Sequence, residues 1–453
     1  MTKKCRNIIV ISIVFIIFLI ATGLYLYLSR PVLSHTKLTI YTGYSKTICL
    51  YGRYDVKEWT SDNENIAMVE DGMISAINTG NTCITADTGK KKFVCEVEVR
   101  EAVSPKYYSI VNEEKKWLFE QQLDNGAFCN RIKENGEVNI NPYFSAISVW
   151  CVLQCDLTDD EKDKIKEHLQ WHFDHINYEK DYNGISGTVY DYKAKLEDGT
   201  VIEEYTNESY DSSDSYAAMF LAALWKYYEV TGDSEFIINN SYKIKLVTGA
   251  MLSTLSYGYT YCKPDYTIIY LMDNAEVYEG MVSSEKIFRE VLKDEEDADY
   301  VQKIKDNFIG KFEKTWWRDD HYSPYLNDEL VPYEDKFSWS NFYSDAVSQL
   351  SPIIFDLSDS DKSEIVYKEF CNYRKWENMD YFYSGEAKFY WGMLMYGAVK
   401  MADYDRAEKY LEVYLSETEN KEYPLIISDC AWVILGTKQI GDYYKTIEIN
   451  SIK

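Results

Sequence analysis

The feature that most constrains this chain is a change of hydrophobic period near Arg100, from two residues to about 3.6, which then persists almost to the C terminus. Twelve helices are expected, near 107–122, 142–155, 159–177, 213–230, 234–256, 273–293, 296–316, 341–356, 361–376, 385–402, 404–418 and 425–436. Links after the even-numbered helices are brief, as at Asp156-Leu157-Thr158 and Thr231-Gly232-Asp233, and read as tight turns between antiparallel neighbours. Links after the odd-numbered helices are longer, the longest running from Asn177 to Ser212. In an up-and-down array all six longer links emerge at one end, where binding and catalysis collect.

Composition narrows the partners. The 453 residues carry 74 acidic and 48 basic side chains, a formal charge of −26, which repels phosphate backbones and argues against nucleic acid. With 46% apolar residues and 42 Tyr, 18 Phe and 11 Trp, the chain is folded rather than a disordered acidic tail.

The uncharged run Ile8 to Leu28 follows Lys3, Lys4 and Arg6 and reads as one transmembrane anchor with a cytoplasmic tail of residues 1–7, so the bulk of the chain is expected outside the cell. Residues 29–36 read as a spacer, and residues 37–100 alternate with period two, as in Phe93-Val94-Cys95-Glu96-Val97, which reads as a small antiparallel sandwich. A symmetric hairpin about Asp87-Thr88-Gly89-Lys90 would set Cys83 opposite Cys95 at a separation compatible with a disulfide. Trp59-Thr60-Ser61-Asp62-Asn63, Ile66-Ala67-Met68-Val69, Asp71-Gly72-Met73-Ile74-Ser75-Ala76 and Gly80-Asn81-Thr82-Cys83-Ile84-Thr85-Ala86 resemble the bacterial immunoglobulin-like domain of group 2. That resemblance implies a surface spacer or adhesive module.

Residues 101–453 form the helical part. Small residues follow the starts of the even helices, at Ser145-Ala146, Ser215-Tyr216-Ala217, Asn274-Ala275 and Asp345-Ala346, and let those helices approach closely as an inner layer. Trp117-Leu118-Phe119-Glu120-Gln121-Gln122-Leu123-Asp124-Asn125-Gly126, Asp211-Ser212-Ser213-Asp214-Ser215-Tyr216-Ala217, Asp273-Asn274-Ala275-Glu276-Val277-Tyr278 and Phe342-Tyr343-Ser344-Asp345-Ala346 resemble the six-hairpin glycosidase superfamily. The implied fold is an (α/α)6 toroid, and the implied activity is glycosidic bond cleavage, although the ring also serves polysaccharide lyases. The expected fold class is therefore multidomain: an N-terminal transmembrane helix, a small all-β Ig-like sandwich and an all-α (α/α)6 toroid.

Glycoside hydrolysis needs one protonated and one ionised carboxyl. The expected mouth offers Asp124, Asp211, Asp214, Asp273, Glu276, Asp345 and Glu386, more than the mechanism requires, and an aspartate at a helix start also caps orphan amides. The cap position suits a base, so Asp214 is read as base and Asp211 as acid, with Asp273 and Glu276 as the second pair. Substrate contacts are expected from Asp124, Tyr143, Tyr210, Trp317, Trp339, Tyr343, Asp345, Tyr383 and Glu386, aromatic rings serving as platforms for sugar faces. His168, His172 and His175 share one face of an outer helix and read as solvated surface rather than a metal site. Neither a metal nor an organic cofactor is called for. Only nine arginines occur, which favours a neutral glycan over an acidic one. The expected function is a membrane-anchored extracellular glycoside hydrolase, inverting. A carbohydrate-binding or adhesive protein without turnover, and a polysaccharide lyase, are the alternatives.

Overall fold

The computed structural model describes residues 13–20, 22, 30–332 and 337–452. The chain forms two compact units, Met1–Lys106 with Gly441–Lys453, and Tyr107–Ile440.

The first unit holds β1 (Val32–Leu33), β2 (Lys37–Tyr41), β3 (Ser45–Thr47), β4 (Leu50–Tyr51), β5 (Glu58–Ser61), β6 (Ala67–Glu70), β7 (Met73–Ala76), β8 (Gly80–Asp87) and β9 (Lys92–Arg100). Their order is β2-β9-β8-β5 in a four-stranded sheet and β3-β7-β6 in a separate three-stranded one. This corrects the expected fold class. Among the described residues no immunoglobulin-like sandwich is apparent, and the sheets are not purely antiparallel, because β2 runs parallel to β9 with Lys37 paired to Glu96. The core around Ile40, Ile74, Ile84 and Val97 also takes in Ile452 from the far end of the sequence. Glu448, from the same terminal segment, accepts hydrogen bonds from the backbone N–H groups of Val103 and Ser104 and from the hydroxyls of Ser104 and Tyr44.

The disulfide expectation fails by one residue of register. Cys83 pairs with Glu96, and Cys95 with Ile84. Since alternate residues face opposite sides of a strand, the two thiols diverge, and both are free. Most of the expected transmembrane anchor, residues 8–28, lies outside the described residues. Among the described residues no helix is long and apolar enough to cross a membrane.

The second unit is built on most of helix α1 (Ser104–Phe119), on α2 (Pro142–Val152), α3 (Asp159–Asp174), α4 (Asp214–Thr231), α5 (Ser234–Asn239), α6 (Ser241–Met251), α7 (Leu271–Lys286), α8 (Glu295–Trp316), α9 (Ser351–Ile354), α10 (Ser360–Tyr373), α11 (Met393–Lys400) and α12 (Tyr404–Glu417), and on the first half of α13 (Ile427–Ile452). Outer helices are one-sided: α8 buries Ala298, Val301, Ile304, Phe308, Phe312 and Trp316 at spacings of three and four. Inner helices are buried all round, as in α4, where every residue from Asp214 to Trp225 is hidden. Helix α4 packs on α2 and α7, α7 on α9, and α9 on α11. The circuit closes where Trp432 of α13 meets Tyr396 of α11 at 5.5 Å and Trp150 of α2 at 5.6 Å between ring centroids. The expected toroid is therefore present, and its inner wall runs α2, α4, α7, α9, α11, α13.

Three details differ from the expected helices. The loops before α2 and α4 are not featureless: β10 (Gly136–Ile140), β11 (Tyr192–Glu197) and β12 (Thr200–Thr206) form a three-stranded antiparallel sheet. Helix α11 starts at Met393 rather than near 385, which leaves Glu386 in a loop. Of the three histidines expected to be solvated, two are buried, while His175 is half-buried and 3.0 Å from Glu204. His168 and His172 are 0% and 1% exposed, because His172 stacks on Phe220 of α4 at 3.6 Å and His168 accepts a hydrogen bond from the Phe128 N–H.

The α4–α7 seam is one of the tight contacts of the inner wall. A Cβ on Gly280 would stand 2.7 Å from the Ala218 Cα and 2.7 Å from the Met251 Sδ. Overpacking of this kind costs about 1–3 kcal/mol. Gly280→Ala is expected to lower the thermal unfolding temperature by several degrees, whereas Gly249→Ala, which meets nothing within 4 Å, should leave it level or raise it. Equal behaviour of the two variants would show that the seam is not tight.

Candidate active site

The N-terminal ends of the inner helices and the long loops around them enclose a cavity of about 830 Å³. Its polar lining is dominated by six carboxyl-bearing side chains, Asp191, Asp211, Asp273, Glu276, Glu386 and Asp429. Two lysines, Lys263 and Lys388, also line it, and among the described residues no arginine or histidine does. Tyr143, Tyr216, Tyr270, Tyr343, Phe389 and Trp391 supply aromatic wall, while Phe355 and Trp432 contribute where the ring closes.

The acids come together because α4 and α7 touch along their length. Asp273 lies in the first turn of α7, and Glu276 lies three residues on, over the same face. Burial and the charges of Asp214, Glu276 and Asp211 hold the Asp273 carboxyl well above the usual aspartate range. The Glu276 carboxyl is pushed up to about 8 by burial, with Asp214 adding and the Tyr143 hydroxyl opposing. That hydroxyl donates to Glu276 Oε1 at 2.7 Å, and Oε2 has no partner.

Asp214, the first residue of α4, is wholly buried and does not line the cavity. Its Oδ2 accepts from the Thr260 hydroxyl at 2.7 Å and its Oδ1 from the Ser215 N–H at 2.8 Å. Asn274 fixes that hydroxyl by bonding both backbone groups of Thr260. Burial pushes the Asp214 carboxyl up to about 7. Asp211 is exposed at the rim of the same wall.

Three positions away round the six-membered wall, at the start of α13, Asp429 enters the cavity from the side opposite α7. It accepts from the backbone N–H of Tyr390 at 3.2 Å and of Gly392 at 3.4 Å, and burial pushes it up to about 7. Asp191 accepts from Asn141 Nδ2 at 2.9 Å and the Tyr216 hydroxyl at 3.1 Å, and burial pushes it up to about 6.

Of the residues expected at the site, Asp211, Asp273, Glu276, Tyr143, Tyr343 and Glu386 line the cavity together. Glu386 does so while ion-paired to Arg374 at 2.8 Å. The others are elsewhere. Asp124 accepts from the Val201 N–H in the three-stranded sheet region. Tyr210 is buried, donating to Asp181 at 2.8 Å. Trp317 packs edge-on to Tyr322, and Trp339 is buried against Tyr373. Asp345 is buried and accepts from the Ser338 N–H, and Tyr383 donates to Glu417 at 2.7 Å. Asp429 and Asp191 were missed. The first carries a visible signal, an acid beside the small residue Ala431 at the start of the last inner helix; the second sits just before a strand in the longest loop and has no local pattern.

No family model and no curated protein matches the sequence. Solved structures do. A GH63 mannosylglycerate hydrolase from Thermus thermophilus, in complex with glucose, has a TM-score of 0.50 at 10% identity, covering 72% of this chain and 99% of that one. A rhamnosidase from Klebsiella oxytoca, with rhamnose bound, has a TM-score of 0.50 at 11% identity, covering 82% of this chain and 71% of that one. The scaffold is one that glycosidases use. At these identities the likeness is one of fold.

The acids in and behind the cavity are also a stability switch. A buried carboxyl with a raised pKa makes its contribution to stability fully below about pH 4, the carboxyl range of unfolded chains, and loses it as pH rises through the folded value. For Asp191, Asp214, Asp429 and Glu276 those values run from about 6 to about 8. Glu276→Gln removes one titration while keeping the shape, so between pH 5 and pH 8 the variant is expected to lose less unfolding temperature than the unmodified protein. Parallel losses would show that Glu276 does not titrate in that window.

Proposed function

We propose that this protein is a glycoside hydrolase acting by carboxyl acid/base catalysis inside the toroid. The observation that carries the reading is an aromatic-walled cavity with carboxyls entering from opposite sides, the half-buried Asp273 on α7 and the buried Asp429 on α13. Hydrolysis requires a carboxylic acid that stays protonated to assist the leaving oxygen. Asp273 suits that role, since burial and three neighbouring carboxyls oppose its ionisation. A base must ionise near working pH, and Asp429, at about 7 with two backbone donors on its oxygens, is suited to activating water.

Acid and base on opposite walls leave room for a water between the base and the sugar, which favours inversion. Asp214, closed off behind Asp273, acts through it by keeping the acid protonated. Asp211 at the rim is the alternative acid. Elimination, the lyase route, acts on uronates and draws on a basic Tyr, His or Arg environment; tyrosines do line the cavity, but six carboxyls against two lysines there oppose a uronate.

The test is incubation of the protein with a panel of neutral and acidic glycans, reading new reducing ends and the 235 nm absorbance of unsaturated products. Reducing ends without that absorbance are expected. Asp273→Asn and Asp429→Asn should each lower kcat by about 10²–10⁴-fold. In the unmodified enzyme kcat/KM should rise as Asp429 ionises through pH of about 7 and fall where Asp273 loses its proton. Turnover that survives both substitutions would remove the assignment.

A further inference from the structure

Acid/base hydrolysis uses two carboxyls, yet six line this cavity, and among them only Glu386 has an ion-pair partner among the described residues. Burial holds Asp191, Asp273, Glu276 and Asp429 toward the protonated form, and a bound cation beside them would draw the nearest into the ionised one. A metal ion is not that counter-charge, because no three His, Cys, Asp or Glu among the described residues stand close enough together to hold one. The acids are spread round the wall, from the loop before β11 to α7 and α13.

One atom indicates where the cation would sit. Glu276 is 5% exposed, faces the cavity and leaves Oε2 without a partner, while Oε1 is held by Tyr143. Tyr143 in turn stacks on Tyr216, with centroids 5.5 Å apart and planes at 14°. Asp273 lies three residues before Glu276 on the same helix and also lines the cavity. An unpartnered carboxyl oxygen and an aromatic pair converge there. That combination recognises an ammonium group, which donates three hydrogen bonds and is attracted to ring faces.

Resting on the hydrolase reading for the site, we propose that the preferred substrate is a glycan whose bound residue carries a free amino group, with the ammonium seated on Glu276 beside the Tyr143–Tyr216 pair. A neutral sugar would fill the same space through hydroxyls and leave the carboxyl excess uncompensated, and a uronate would add to it.

The test is calorimetric binding of glucosamine oligomers, their N-acetylated counterparts and glucose oligomers of equal length to the full chain at pH 7, with reducing-end release measured in parallel. The free-amine oligomers are expected to bind at least tenfold more tightly than either neutral series. Neutral oligomers binding as tightly would overturn the proposal. Glu276→Gln should collapse the preference ratio toward one, a change that a general loss of packing would not produce; a ratio unaltered in a folded variant would also overturn it. The two readings fail separately. Free-amine preference without cleavage of any oligomer removes the hydrolase and leaves the amine site, whereas cleavage of neutral oligomers with no amine advantage does the reverse.

Discussion

The second unit depends on two helices that touch almost backbone to backbone. Gly280 of α7 lies against Ala218 of α4, and the neighbouring alanines 217, 222 and 223 keep the rest of that helix slim. This closeness is a packing matter, yet its consequence is electrostatic. It sets the first turn of α4 beside the first turn of α7, so that Asp214, Asp273 and Glu276 share one low-dielectric corner where like charges cannot all ionise. A wider seam would admit water between them and return the acids to ordinary behaviour. Raised carboxyl pKa values and small residues on a buried helix face are thus one design seen at two scales.

Much of this was legible in the sequence, and the reasons are specific. Inner and outer helices have different signatures: α8 shows its buried residues every third or fourth position, while α4 is buried all round along its first three turns, so the layering of the rods could be read. The acidic starts of α4 and α7 were visible for the same reason. What escaped was set by contacts between distant segments. The sheet of β10, β11 and β12 joins strands more than fifty residues apart, with Val138 opposite Ala194, and no local pattern announces such pairing. Asp191 enters the cavity only because that sheet directs it there. In the first unit a one-residue shift of the β8–β9 register turned an expected disulfide into two separated thiols, and a parallel β2–β9 pair stood where an antiparallel immunoglobulin-like arrangement was expected.

The abundance of tyrosine also divides into two kinds of use. Some rings line the cavity, as Tyr143, Tyr270 and Tyr343 do. Others pin loops by placing a hydroxyl on a carbonyl that would otherwise be buried alone: Tyr381 and Tyr410 both donate to the Tyr390 backbone oxygen. Tyr210 does similar work for its loop through Asp181. Sequence shows an aromatic residue in a loop in all these cases, and only the partner of the hydroxyl separates platform from anchor.

The contact of Trp150 with Trp432 closes the ring between its first inner helix and its last. During synthesis the wall that carries Asp429 leaves the ribosome nearly three hundred residues after the wall that carries Trp150, so until then the nascent ring is an open crescent with apolar edges facing water. Loss of a short C-terminal stretch through premature termination would therefore remove the whole chamber, not one helix of it.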